Sequence, residues 1–90
     1  DIIYFESQGK KINMVTQSGD MMFYGKLAEI EEQLTKFNFI KIHKSYLVNY
    51  EHIIKFEYAQ VTMSNDIILS ISQRNRKRVR QLQIKLKRRY

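Results

Sequence analysis

Cysteine, proline and tryptophan are absent from the 90 residues, and glycine occurs only three times. Without cysteine there are no disulfides and no thiolate metal sites, so burial of a core alone must hold the fold together. Gly9, Gly19 and Gly25 are too scattered for a phosphate-cradling loop, and no Gly-rich motif with a Lys follows them. Long hydrophobic runs are missing too. No stretch approaches the ~20 apolar residues of a bilayer span, and Asp1 to Phe5 lacks the basic start of a signal peptide. A cytoplasmic location is the expectation. Histidine is scarce: neither His43 nor His52 has a second His or a Cys at ligand spacing, so no zinc site, and no other metal or cofactor, is expected. No nucleophile with a base and no acid pair assembles, since Glu29, Glu31 and Glu32 fall on a helix surface where solvation is the default. The chain does not read as an enzyme.

What is present is an ordinary globular composition, 43% hydrophobic, at a length that fits one small domain over residues 1–90. The chain starts in mid-pattern at Asp1-Ile2-Ile3-Tyr4-Phe5 without an initiator Met. That points to a fragment lacking an N-terminal regulatory domain. The net charge of +7 is unevenly placed: residues 1–73 hold seven lysines against nine acids, a net of −2, whereas Arg74 to Tyr90 holds nine Lys and Arg and no acid. A cation cluster of this density attracts polyanions, whether nucleic acid, acidic lipid or acidic protein.

The hydrophobic pattern is short-period over most of the chain. Ile2 to Glu6 reads as a strand, Ile12, Met14 and Thr16 alternate in a second, Ser18-Gly19-Asp20 reads as a turn, and Met21 to Tyr24 completes a hairpin. Leu27, Ile30, Leu34 and Phe37 then recur at helical spacing, predicting an amphipathic helix over about Lys26 to Lys36 with these four residues in the core. Ile40 and Ile42, Tyr46 to Asn49, Ile53 to Tyr58, Val61 to Met63 and Ile67 to Ile71 return to extended structure. Val79, Leu82 and Leu86 predict a basic C-terminal helical segment. The expected class is mostly β, with short antiparallel sheets and one small amphipathic helix besides that segment.

A helix-turn-helix would need two adjacent helices, and an RRM a basic-Gly-aromatic strand motif; neither is present. Any nucleic-acid reading therefore falls to polar loops: Lys10, Lys11 and Asn13; His43, Lys44 and Ser45; and Arg74, Asn75, Arg76 and Lys77. Arg74 can bind guanine bidentately and Asn13 or Asn75 can pair with adenine. Lys10, Lys11, Lys44, Arg76, Lys77, Arg78 and Arg80 suit phosphate oxygens. His43 and Ser45 either touch phosphate or order their loop. Two rival classes stay open. One is nonspecific polyanion binding, to RNA or an acidic membrane surface, through the C-terminal basic segment; the other is a protein-interaction module using the amphipathic helix.

Asp1-Ile2-Ile3-Tyr4-Phe5-Glu6-Ser7, the Gly25-Lys26-Leu27 helix opening, Phe39-Ile40-Lys41-Ile42-His43-Lys44-Ser45-Tyr46-Leu47-Val48-Asn49 and Ile71-Ser72-Gln73-Arg74 occur in an order that resembles the LytTR DNA-binding domain. The resemblance runs over nearly the whole chain, and its most specific block is His43 to Asn49. It implies an elongated body of short antiparallel sheets at the C-terminus of a response regulator, with an upstream receiver domain. It further implies pairs of domains on imperfect direct repeats in promoters, a bent duplex, and loops inserted into successive major grooves. The family's base-contacting positions fall on Ile12-Asn13, Lys44 and Arg74. Ile12 cannot donate to a base edge, which passes that role to Lys11 or Asn13, and Gln73 stands where many members have Arg.

Overall fold

The computed structural model describes residues 1–87. Tight turns and alternating side chains produce three strands in succession, β1 (Ile2–Gln8), β2 (Lys11–Thr16) and β3 (Gly19–Tyr24). Gln8 pairs with Lys11 across a two-residue turn whose first residue, Gly9, takes φ 66°, a value that glycine accepts without strain. The second turn is Gln17-Ser18, one residue earlier than the pattern indicates, because Thr16 pairs with Gly19 and its hydroxyl donates to the Gly19 carbonyl. Helix α1 (Leu27–Leu34) follows, then a 3-10 turn at Thr35–Phe37 and strands β4 (Phe39–His43) and β5 (Tyr46–Asn49). A second 3-10 turn, Tyr50–His52, leads into β6 (Ile53–Phe56), β7 (Gln60–Met63) and β8 (Ile68–Ser70). A third, Gln73–Asn75, leads into α2 (Arg76–Lys87). Arg88 and Arg89 of the basic segment lie outside the described residues.

The strands form two antiparallel sheets, one ordered β3-β2-β1-β5-β4 and one ordered β6-β7-β8. The molecule is mostly β, as its patterning indicates, and measures 34 × 27 × 23 Å.

Strand geometry sends neighbouring side chains to opposite faces, and the larger sheet uses both. Tyr4 pairs with Val48 and Val15 on one face; Phe5 pairs with Leu47 and Met14 on the other. Two cores result. The first joins Tyr4, Val15, Ile40, Ile42 and Val48 to Val61, Met63, Leu69 and Ile71 of the second sheet region and to Val79 of α2. The second joins Phe5, Ile12 and Leu47 to Leu27 of α1, with Ile30, Leu34 and Phe39 packed against it. The larger sheet is thus the middle layer between α1 and the smaller sheet with α2. Ile12, Ile42, Leu47, Val48, Val61, Met63 and Val79 retain no solvent exposure.

One expected core residue is not in the core. Phe37 is 56% exposed, because Leu34 leaves the helical basin (φ −111°, ψ 2°) and Asn38 then reverses the chain at φ 64°. Phe39 takes the place that helical spacing assigns to Phe37, its ring 5.9 Å from that of Phe5. At the other end of the chain, α2 forms as Val79, Leu82 and Leu86 predict, with Val79 buried and both leucines packed against the first core.

Candidate nucleic-acid interface

Antiparallel connectivity gathers the basic turns. The β1–β2 turn, the end of β3 and the β4–β5 turn all lie at one end of the larger sheet, since β5 begins at Tyr46 opposite Glu6, near the end of β1. That end carries Lys10, Lys26 and Lys44. Two backbone hydrogen bonds fix the turns to one another: Ser7 N–H donates to the Ser45 carbonyl at 2.8 Å and Gly25 N–H to the Lys10 carbonyl at 3.2 Å.

The segment after β8 reaches the same end. Ser72 N–H donates to the Ile42 carbonyl at 2.9 Å, which docks the Gln73–Asn75 turn beside β4. Asn75 organises that turn, its amide donating to Ser72 Oγ at 2.6 Å while its carbonyl oxygen accepts from Arg78 at 3.2 Å. Arg74 is left exposed, without a protein partner among the described hydrogen bonds.

Two clefts occupy this end. One of about 720 Å³ is bordered by Lys10, Lys26, Lys41 and Lys44, together with Ser7 and the start of α1, where Glu29 is its acid. The other, about 450 Å³, is bordered by Lys41, His43, Lys44, Ser72, Arg74 and Asn75. Lys41 and Lys44 belong to both, so five Lys and Arg side chains form one continuous cationic surface. Lys44, in a two-residue turn, and Arg74 are 30 positions apart in sequence yet line one cleft.

His43 Nδ1 accepts from Ser45 N–H at 3.0 Å, and its ring packs on Tyr46 with centroids 4.9 Å apart. In the neutral ring the proton therefore sits on Nε2, which leaves that atom to donate outward. The interaction orders the turn and is compatible with an anion contact.

The remaining predicted residues sit differently. Lys10 and Lys11 are exposed, with the Lys11 ammonium 5.4 Å from the Tyr24 ring centroid. Asn13 lies within β2, its amide donating to Asp20 at 3.3 Å and its carbonyl oxygen buried without a partner. It shares a face with Glu6, Tyr46 and His43 through the pairings Asn13–Glu6, Glu6–Tyr46 and Tyr46–His43. Ile12 is fully buried in the second core. Arg76 Nε donates to the Ile71 carbonyl at 3.1 Å, and Arg78 donates to the Lys41 carbonyl, so both guanidinium groups brace the fold. Lys77 and Arg80 are exposed on α2. Near Asn13, burial pushes the Tyr4 phenol above its usual value of 10.0, with Glu6, Asp20 and Tyr46 acting in the same direction.

Reasoning from sequence overlooked Lys26 and Lys41. Lys26 precedes α1 and Lys41 stands between two buried isoleucines of an edge strand, positions that pattern alone assigns to solvation. Their shared cleft emerges only from the docking of α1 and β4. Among the described residues no helix is long and apolar enough to cross a membrane, and no group of three or more His, Cys, Asp or Glu could hold a metal ion.

Among solved structures the chain matches the LytTr DNA-binding domain of a Bacillus cereus protein described as a methyl-accepting/DNA response regulator. The TM-score is 0.81 at 27% identity, over 90% of this chain and 79% of that one. No curated protein matches the chain. The family model for the LytTr DNA-binding domain matches residues 1–83, and with the fold and basic end just described it places the chain in the LytTR family of DNA-binding domains.

Proposed function

We propose that this DNA-binding domain reads promoter DNA in a sequence-specific manner. The turn at Lys44-Ser45 and the turn carrying Arg74 enter the major groove, and Lys10, Lys26 and Lys41 bind flanking phosphates. The observation that carries this reading is the single cationic surface joining Lys44 to Arg74, two exposed side chains on short, braced turns. Arg74 presents a guanidinium fork for guanine O6 and N7, while Lys44 reaches a base acceptor or a phosphate. Asn13 and Asn75 are adenine-contact candidates whose amides are engaged internally, with Asp20 in the case of Asn13 and with Ser72 and Arg78 in the case of Asn75. His43 through Nε2 and Ser45 through its hydroxyl supply phosphate contacts from the central turn. Lys11, Lys77 and Arg80 extend the field to neighbouring phosphates, whereas Arg76 and Arg78 act there through charge alone while they hold their carbonyls.

The same reading includes pairs of domains on direct repeats, a receiver domain upstream and a cytoplasmic location. Its test is selection of bound sites from a random duplex pool by the wild-type domain and by Arg74→Ala. Enrichment of a spaced motif, relaxed at one position by the substitution at a cost of about 1 to 3 kcal/mol, is expected. A flat pool whose retention falls with salt alone would overturn base reading and leave nonspecific polyanion binding through the basic C-terminal segment.

A further inference from the structure

Beside β4 runs another cleft, of about 540 Å³, between the end of α1 and the length of α2. Its floor is apolar, made by Phe39, Ile40, Leu82 and Leu86. β4 is an edge strand, and here both cores reach the surface: Phe39 packs on the second core, while the other three floor residues belong to the first or pack against it. A floor built from core residues is held in place before any ligand arrives, which reduces the ordering cost of binding.

The rim has the opposite character. Lys36, Lys41, Arg78 and Lys85 border the cleft against one acid, Glu31. Helix α2 strengthens the field, with six Lys and Arg and no acid in its twelve residues, and it presents cations even in its first turn, where the helix dipole favours anions. Arg78 already occupies the Lys41 carbonyl and Ser72 the Ile42 carbonyl, so the outer edge of β4 is blocked over that stretch against an added strand. A ligand must therefore enter by its side chains. DNA fits poorly, because every sugar of its backbone is flanked by a phosphate, and laying that charge on an apolar floor costs desolvation.

We propose that this cleft docks an acidic amphipathic helix of a partner protein. Its apolar side chains cover Phe39, Ile40, Leu82 and Leu86, and its carboxylates face Lys36, Arg78 and Lys85. Lys41 marks the boundary with the DNA surface, so the partner sits next to bound DNA and both are held together.

The test uses a fluorescein-labelled peptide of Leu and Glu with Leu at helical spacing, a Ser and Glu peptide of equal charge, and the 90-residue chain free or bound to its selected duplex. Fluorescence anisotropy is expected to show binding of the Leu peptide in both states, and binding at least about tenfold weaker for the Ser peptide and for Lys36→Glu/Lys85→Glu. Thermal melting of that double variant and the sequence preference of its duplex binding are expected to stay near wild type, since both lysines lie outside the DNA clefts. Three results would overturn the proposal: no binding of the Leu peptide, equal binding of the two peptides, or displacement of the Leu peptide by duplex together with sensitivity to Lys44→Ala. Because sequence-specific DNA binding is measured separately, docking can fail while base reading stands, and the reverse.

Discussion

Removing Lys10, Lys26 and Lys41 together tests whether the larger cleft binds phosphates. If each ammonium neutralises one phosphate, each contributes about 0.9 to the slope of log affinity against log salt, and the three together about 2.7. Over a fourfold rise in salt, from about 50 to 200 mM, a slope difference of that size changes the ratio of wild-type to variant affinity by a factor of about 40. The triple alanine variant should therefore lose much of its duplex affinity at low salt and approach wild type as salt rises. Lys10 and Lys26 are exposed and Lys41 half-buried, and their ammonium groups make no described hydrogen bond, so the fold should survive, as circular dichroism would check. The assay is a salt titration of duplex affinity by fluorescence anisotropy. Parallel lines for the two proteins would mean that none of the three lysines meets a phosphate, and the cleft would then have no part in DNA binding.

Other consequences are equally measurable. Leu27→Ala, in the second core, should cost about 2 to 5 kcal/mol in urea unfolding, whereas Phe37→Ala, at an exposed site, should stay within about 0.5 kcal/mol. Equal losses would contradict the exchange of Phe37 for Phe39. Asn75→Ala removes the bridge between Ser72 and Arg78 and should lower stability by about 1 to 2 kcal/mol. A site selection with that variant should show weaker binding to all sequences if Asn75 only positions its turn, and relaxation at one adenine if it contacts a base. The Tyr4 phenol, held neutral by burial and by Glu6 and Asp20, adds stability that is fully present below the unfolded value of 10.0 and is lost as pH rises through the raised folded value. In alkaline melting series Tyr4→Phe should therefore keep its stability to higher pH than wild type, and identical curves would exclude Tyr4 as the source.

Elements whose signals are local were legible from sequence. The strands β1, β2 and β3 followed from their short-period patterning, α1 from Leu27, Ile30 and Leu34, and α2 from Val79, Leu82 and Leu86. The misplaced features depend on tertiary context. Phe37 left the core because a backbone excursion at Leu34 ended the helix, and helical spacing carries no information about such a stop. Ile53 to Tyr58 alternates throughout, yet β6 ends at Phe56, because Glu57 N–H turns back to the Gln60 carbonyl. In the candidate site, Lys44 and Arg74 were nameable one at a time through the family resemblance, but their common cleft depends on the Ser72–Ile42 hydrogen bond. The internal duties of Arg76 and Arg78 were hidden for a related reason: their acceptors are backbone carbonyls, and every residue has one.

The pairing of β1 with β5 has a consequence for the order of events in the cell. Tyr4 meets Val48, and the Asn49 amide donates to the Ile2 carbonyl, so the central pairing closes a stretch of more than forty residues. Such closure is slow compared with hairpin formation, because chain entropy is lost before the contact compensates it. A chain emerging from the ribosome can form its first hairpins early, but Arg74 arrives at its station only after the second half of the polypeptide has folded back onto the first. Nascent chains and proteolytic remnants that stop short of this residue lack the assembled cationic surface, so under the proposed function they compete poorly for DNA with the finished protein.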